Sequence, residues 1–388
     1  MKTPDLFFSP SPKQSHWFVG MALVGGCCLG TGLFFAPDRV WPTFLLLNYY
    51  LLGLGLAGLV FIAIQYVTDA GWCVAFSRVP EALLNLIPFA SVGLLTIWFV
   101  HPSLYPWVET ARDEIHGFKR IWLNYPFFLC RSFLYLLVWN LFAWLLIRNS
   151  RRQDDERDLS YTYQNTCLSA VFLVAFAITF CLASFDWIMS LEPEWYSTIF
   201  GIYHFAGMFQ SGLAIIVILS VWVNRSGIVQ GMVTEDHLHD LGKLLFAFCT
   251  FWIYIWFSQY LLIWYANIPE ETVYFIPRVR GMWGSLFLLN IFLNWIVPFL
   301  VLLPRHTKRN AKILVKVAVV VLAGRWLDLY LMIIPTFSGP TPVFGVWEIG
   351  LTLGAIGCFF LIISRSLQQA PIVPINHPYL NESLSHHQ

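Results

Sequence analysis

The chain has 388 residues, of which 58% are hydrophobic and only 12% are charged, with 34 Phe, 18 Trp and 16 Tyr. A soluble domain is about a quarter charged, so the composition excludes one and points to an all-α polytopic membrane protein. The formal net charge of +1 gives no ground for nucleic acid as a partner, and the expected solvent for the outer surface is lipid.

Residues 1–16 are polar and lead into an apolar run without a small-residue cleavage site, so the first run reads as an uncleaved anchor. Runs long enough to span occur at about ten places, near 17–36, 42–68, 79–100, 126–148, 164–190, 197–223, 239–266, 281–303, 311–335 and 343–364. The fifth and seventh are long, as a tilted helix would be. In the first, "GGCCLGTG" places Gly26 and Gly30 at a spacing that suits close helix packing, with Cys27 and Cys28 as small packing residues. The loop 101–125, with "HPSLYPWVETARDEIHGFKR", is a candidate interfacial helix, and the polar tail after Arg365 reads as extended.

Lys and Arg set the orientation. With the N-terminus inside, the inner segments hold Lys2, Lys13, Arg78, Arg148, Arg151, Arg152, Arg157, Arg225, Arg305, Lys308, Arg309, Lys312 and Arg365. The outer loops hold Arg39, Arg112, Lys119, Arg120, Arg278 and Arg280. The excess places both termini in the cytoplasm, which an even number of spans satisfies.

The eight Cys form no CxxC or haem-attachment pattern, and of the ten His only His204 lies well within a span. A membrane cytochrome b needs His pairs on facing helices, so this chain is expected to carry no haem, cluster or metal of its own.

Ionisable residues within spans are costly and mark function or buried ion pairs. An outer group comprises Asp186, His204, Arg325, Asp328 and Glu348, with Arg131 at similar depth. Arg325 and Asp328 are three apart and able to pair. Asp186 and His204 flank the short turn "LEPEWY", with Pro193 expected in a first helical turn, and would approach each other as a proton exit step. An inner group comprises Gln65 and Asp69, then His239, Asp240 and Lys243 within "TEDHLHDLGK". There Thr234 reads as an N-cap with Glu235 and Asp236 in the first turn, and Asp240 and Lys243 as an intrahelical pair. Asn48, Tyr49, Tyr135, Asn140, Gln210, Ser211, Tyr254, Ser258, Gln259, Asn290 and Asn294 are supporting positions between the two depths.

Three stretches carry a resemblance: "SFDWIMSLEPEWYSTIFGIYHFAG", "EDHLHDLGKLLFAFCTFWIYIWFSQYLLIWYANIPEET" and "RHTKRNAKILVKVAVVVLAGRWLDLYLMIIP". Together they resemble the F subunit of bacterial alternative complex III, a quinol:electron-acceptor oxidoreductase, and so are similar to the polysulfide-reductase (NrfD-like) membrane-anchor family. The resemblance implies two up-and-down four-helix bundles, 41–192 and 193–337, with peripheral helices in 1–40 and 338–366 and a cytoplasmic tail 367–388. It implies a location in the bacterial cytoplasmic membrane, and partners that include the paralogous C subunit, an iron–sulfur subunit and haem c subunits. Haem c and iron–sulfur clusters would sit in those partners, with menaquinone or another quinone bound nearby. The role implied for this subunit is a proton path or a scaffold. A quinol site of its own, with Arg131 and Tyr135 facing a pocket, is a competing reading, as is a purely structural anchor. A secondary transporter would need paired Gly/Pro-broken helices, which the sequence does not show.

Overall fold

A segment in hydrocarbon has to satisfy its own backbone N–H and C=O groups, and a single apolar run does so as a helix. The computed structural model describes residues 7–109, 117–227, 231 and 233–386, and no strand occurs among them. Lys2, Arg112 and part of the loop expected to hold an interfacial helix lie outside the described residues. On either side of that gap the loop forms two short helices, Pro106–Glu109 and Phe118–Trp122.

Ten long helices follow in chain order: α1 (Pro12–Phe35), α2 (Pro37–Val67), α3 (Val74–Val100), α4 (Tyr125–Asp155) and α5 (Ser160–Trp187), then α6 (Phe200–Arg225), α7 (Glu235–Ala266), α8 (Gly281–Leu302), α9 (Ala311–Ile333) and α10 (Val346–Leu367). Nine of these described helices are long and apolar enough to cross a membrane. The exception is α9, 23 residues long, which carries Lys312, Lys316, Arg325 and Asp328. The chain is an all-α, multi-pass membrane protein.

Burial sorts the helices by position. In α2 and α6, 89% of the apolar window is buried inside the protein, against 11% in α1. A helix that is apolar all round belongs either in the core or against lipid, and these helices take the two extremes. α2 packs on α3, α5, α6 and α10, and α4 closes the first group of four against α3 and α5. α6 packs on α7 and α9, with α8 completing the second group. α1 lies outside both and packs chiefly on α10.

The α1–α10 seam uses different glycines from those expected. A Cβ on Gly25 would lie 2.3 Å from the Gly354 Cα, whereas Gly26 and Gly30 face open space. One residue is about 100° of helix rotation, so the neighbouring glycine carries the contact. Cys28 does pack in the seam, its Sγ against Gly350. Pro193 also differs: α6 begins only at Phe200, and Pro193 sits in the preceding turn, where its carbonyl accepts Lys119 Nζ at 2.9 Å.

The clusters 148–157 and 305–312 lie at one end of the bundles, hereafter the basic end. Arg309 pairs with Asp236 there, and the tail touches both Asp154 and Asp240. The other end holds the turn between α5 and α6, anchored by Arg278 on Glu192 (2.6 Å) and on the carbonyls of Leu331 and Met332. The tail has little regular structure beyond α11 (Leu380–Leu384), yet it is docked across the basic end, with Ile372, Val373 and Ser383 buried.

Candidate functional site

Two buried carboxylates dominate the interior, each on the last helix of its group. Asp186 on α5 is 0% exposed and Asp328 on α9 is 1% exposed. A buried carboxylate is tolerated only with an opposite charge and its lone pairs filled.

Asp186 meets both needs through α4. Arg131 grips it in a fork, Nε to Oδ2 at 3.0 Å and Nη2 to Oδ1 at 2.8 Å, and the Tyr135 hydroxyl donates to Oδ2 at 3.1 Å. Arg131 and Tyr135 are four apart, which puts both on one face of α4. The guanidinium lies over the rings of Trp122 (4.0 Å) and Phe127 (4.3 Å) and donates to the Trp122 carbonyl. Asp186 does not bond to His204, because a planar guanidinium supplies the full opposite charge that a neutral imidazole lacks.

Asp328 is held by four donors from four helices. Arg325 Nη1 reaches Oδ2 at 2.5 Å, one turn away on α9 itself. The Tyr203 hydroxyl (α6) and Asn290 Nδ2 (α8, 3.0 Å) donate to Oδ1, and the Trp252 indole (α7, 3.3 Å) donates to Oδ2. From there a line of amides runs on: Asn294 Nδ2 donates to Asn290 Oδ1 at 2.7 Å, and Gln210 Nε2 to the Asn294 carbonyl at 2.8 Å. A π-helical turn at Phe292–Ile296 carries Asn294 into this line. Such turns recur at functional positions because they re-aim side chains within an otherwise regular helix.

His204 sits where the two groups of helices meet. It is 0% exposed, and its Nδ1 lies 2.8 Å from the Tyr49 hydroxyl of α2. Its Nε2 has no protein partner, and neither have Gln210 Oε1 and Asn294 Oδ1. Buried polar atoms of this kind call for water. Arg325 lies against Gly207, one turn beyond His204, where a Cβ would be 2.4 Å from Nη1, so only glycine admits the guanidinium there. A cavity of about 10 Å³, lined by Tyr49, Tyr50, Ser211, Trp187 and Arg325 among others, has room for about one water. A second, of about 20 Å³, joins Asp328, Tyr203 and Asn290 to Gln259, Tyr274 and Arg278 towards the turn end.

Glu348 is placed apart from this cluster. It sits in the first turn of α10, where Arg39 binds both oxygens (3.0 and 2.6 Å) and the Gly345 N–H caps Oε2 at 2.8 Å. Its geometry is that of a helix-start carboxylate.

At the basic end the inner group splits. Gln65 and Asp69 both line a cavity of about 40 Å³, but Asp69 lies past the end of α2 in left-handed backbone (φ 48°) and is exposed. Asp240 pairs with Lys243 at 2.5 Å, as the three-residue spacing predicts, and also with His386 at 2.8 Å. His239 is buried, while Asp236 is taken by Arg309. Thr234 caps α7, and its N–H donates to His237 Nδ1 at 3.1 Å. A further cluster not singled out from sequence joins Arg78 to Glu81 (2.5 Å), Asp154 and Ser150. Between Gln210 and this end, the buried faces of α6 and α9 are mostly apolar, with Leu213, Ile216, Val217, Leu314, Val317 and Val321, and α6 also buries Ser211 and Ser220 there.

Tyr203, Trp252 and Arg39 are the contacts that sequence reasoning missed. Only Tyr203 left a signal: Tyr203-His204-x-x-Gly207 on α6 repeats Tyr49-Tyr50-x-x-Gly53 on α2. Tyr254, expected between the two depths, is exposed on the outer face of α7, and Ser258 is half-buried there. Among the described residues no group of three His, Cys, Asp or Glu could hold a metal ion. No protein-family model and no curated protein matches the chain.

Proposed function

We propose that this chain is a membrane subunit of a quinol:electron-acceptor oxidoreductase of the alternative complex III type and that it contributes a proton path. On this reading the basic end faces the cytoplasm of a bacterial inner membrane, following the Lys and Arg distribution. Electrons pass through haem c and iron–sulfur clusters in partner subunits, and quinol is oxidised beside the paralogous C subunit.

The observation that carries the reading is the buried line Gln210–Asn294–Asn290–Asp328, with His204 and Arg325 beside it. Stability alone gains little from such an arrangement, since a buried ion pair is often no better than apolar packing. The line leads through Asp328 and Gln259 towards the Arg278–Glu192 pair, and below Gln210 the buried faces of α6 and α9 are mostly apolar. On this reading it is a half-path that leads to the turn end. His204 is the group that would change protonation, and the amides would orient water beside it. Arg131 Nη1 is buried without a partner among the described residues, while both Asp186 oxygens are filled by Arg131 and Tyr135. This favours a scaffold role for that cluster over a quinol site.

The experiment is gentle purification of the tagged chain from its native membrane. The reading requires co-purifying polypeptides with haem c absorbance, an iron–sulfur signal and quinol oxidation. A chain that purifies without redox partners would overturn it.

A further inference from the structure

Beyond Ile372 and Val373, which are buried in the core, the C-terminal tail covers polar groups at the basic end. Ile375 N donates to Asp154 Oδ1 at 3.2 Å, Asn376 Nδ2 to the Asp154 carbonyl at 2.7 Å, and Arg157 Nε to Asn376 Oδ1 at 3.0 Å. Further on, the buried Ser383 hydroxyl donates to the Trp72 carbonyl at 2.7 Å and accepts from Ala75 N at 3.0 Å. Glu382 lies over Gly71, where a Cβ would come within 2.5 Å of its carboxyl carbon. His386 closes the set on Asp240.

What lies beneath is the inner polar group. The cavity holding Gln65, Asp69, Cys73 and Glu81 is completed by His377 and Tyr379 of the tail. Asp240 has one oxygen on Lys243 and the other on His386. Pro371, Pro374 and Pro378 stiffen the segment. Ile372 and Val373 are buried in the apolar core, but from Ile375 onward the contacts are mostly hydrogen bonds to backbone and to Asp154 and Asp240, so that part can leave with little opening of the helix core.

We propose that residues 375–386 are a latch over the basic-end mouth of this chain, and that its release opens Asp240 and the cavity beside Gln65 and Cys73 to water. The latch rests on the proton-path reading only for what the mouth supplies; the closure itself does not depend on it.

Cys73 reports the closure. It is 3% exposed under the tail, and burial pushes its thiol up to about 12, so it is a slow nucleophile while the latch is shut. The test is the rate of N-ethylmaleimide labelling at Cys73, read by peptide mass spectrometry on the full complex in native membranes. Truncation after Gln369 should raise that rate at least about tenfold, because uncovering restores an ordinary thiol. Ser383→Glu should do the same, since its carboxylate would face the Trp72 carbonyl. Rates within about twofold of the full chain in both variants would overturn the latch, whatever happens to proton release. If neither variant accumulates, the tail is a structural part of the fold and the latch is also overturned. Faster labelling with an unchanged proton-to-electron ratio would keep the latch and remove the proton path it was thought to serve.

Discussion

Replacing Asp328 with Asn removes a charge that four side chains are arranged around. Arg325, 2% exposed, then keeps its charge in the interior with no counter-ion. The amide nitrogen also brings a donor to a place where Tyr203, Asn290, Trp252 and Arg325 all donate. Breaking a buried pair by removing one partner costs about 3–5 kcal/mol. Asp328→Leu with Arg325→Met removes both charges and leaves three neutral donors without an acceptor, at about 1 kcal/mol each. Apolar packing in place of the pair offsets part of that loss, so the double variant should be the more stable by about 2 kcal/mol. The assay is unfolding in micelles of rising dodecyl sulfate fraction, read by tryptophan fluorescence. A single variant that loses under about 1 kcal/mol, or a double variant worse than the single, would refute the argument that Arg325 is stranded.

Gly354→Leu should push α1 off α10, because the new Cβ meets the Gly25 backbone at 2.5 Å; a loss of about 1–3 kcal/mol and faster proteolysis of α1 are expected. Glu348→Gln should cost only about 0.5–1 kcal/mol, since Arg39 is 35% exposed, and should leave the proton-to-electron ratio of the complex unchanged. Docking of the tail should weaken in acid. Burial, followed by the Arg78 charge, pushes His377 from 6.5 down to about 4, so the docked state binds fewer protons there than the released one. The His377 contribution is therefore complete above pH 6.5 and is lost as pH falls towards about 4, with Arg78, Asp69, Glu81, Tyr66 and Tyr379 as its charged and titratable neighbours. Iodide quenching of a dye attached through Ser385→Cys reads this release, and His377→Gln should flatten the part of the curve in that window.

The spans were legible because each is a long apolar run. α9 could be found despite four charges because apolar residues surround them. The charges themselves were legible one by one, since a Lys, Arg, Asp or His in a span stands out. Their partners were not. Arg131 and Asp186 are 55 residues apart, and Tyr49 and His204 are 155 apart. Hydropathy has no term for which of several buried donors a carboxylate selects. Pairs within one turn, such as Asp240–Lys243 and Arg325–Asp328, could be read because helix geometry alone brings them together. The docked tail could not be read, because a polar, Pro-bearing segment has the composition of a free one. It is held by the buried Ile372 and Val373 and by hydrogen bonds to groups scattered over several helices and turns.

The most direct test of the account is proton release per electron in sealed vesicles containing the assembled complex with His204→Phe. Phenylalanine keeps the aromatic bulk between Tyr49 and Phe200 and removes the nitrogen that could take a proton. The account predicts a complex that assembles and still oxidises quinol but releases fewer protons per electron. An assembled, active complex with the normal ratio would contradict it.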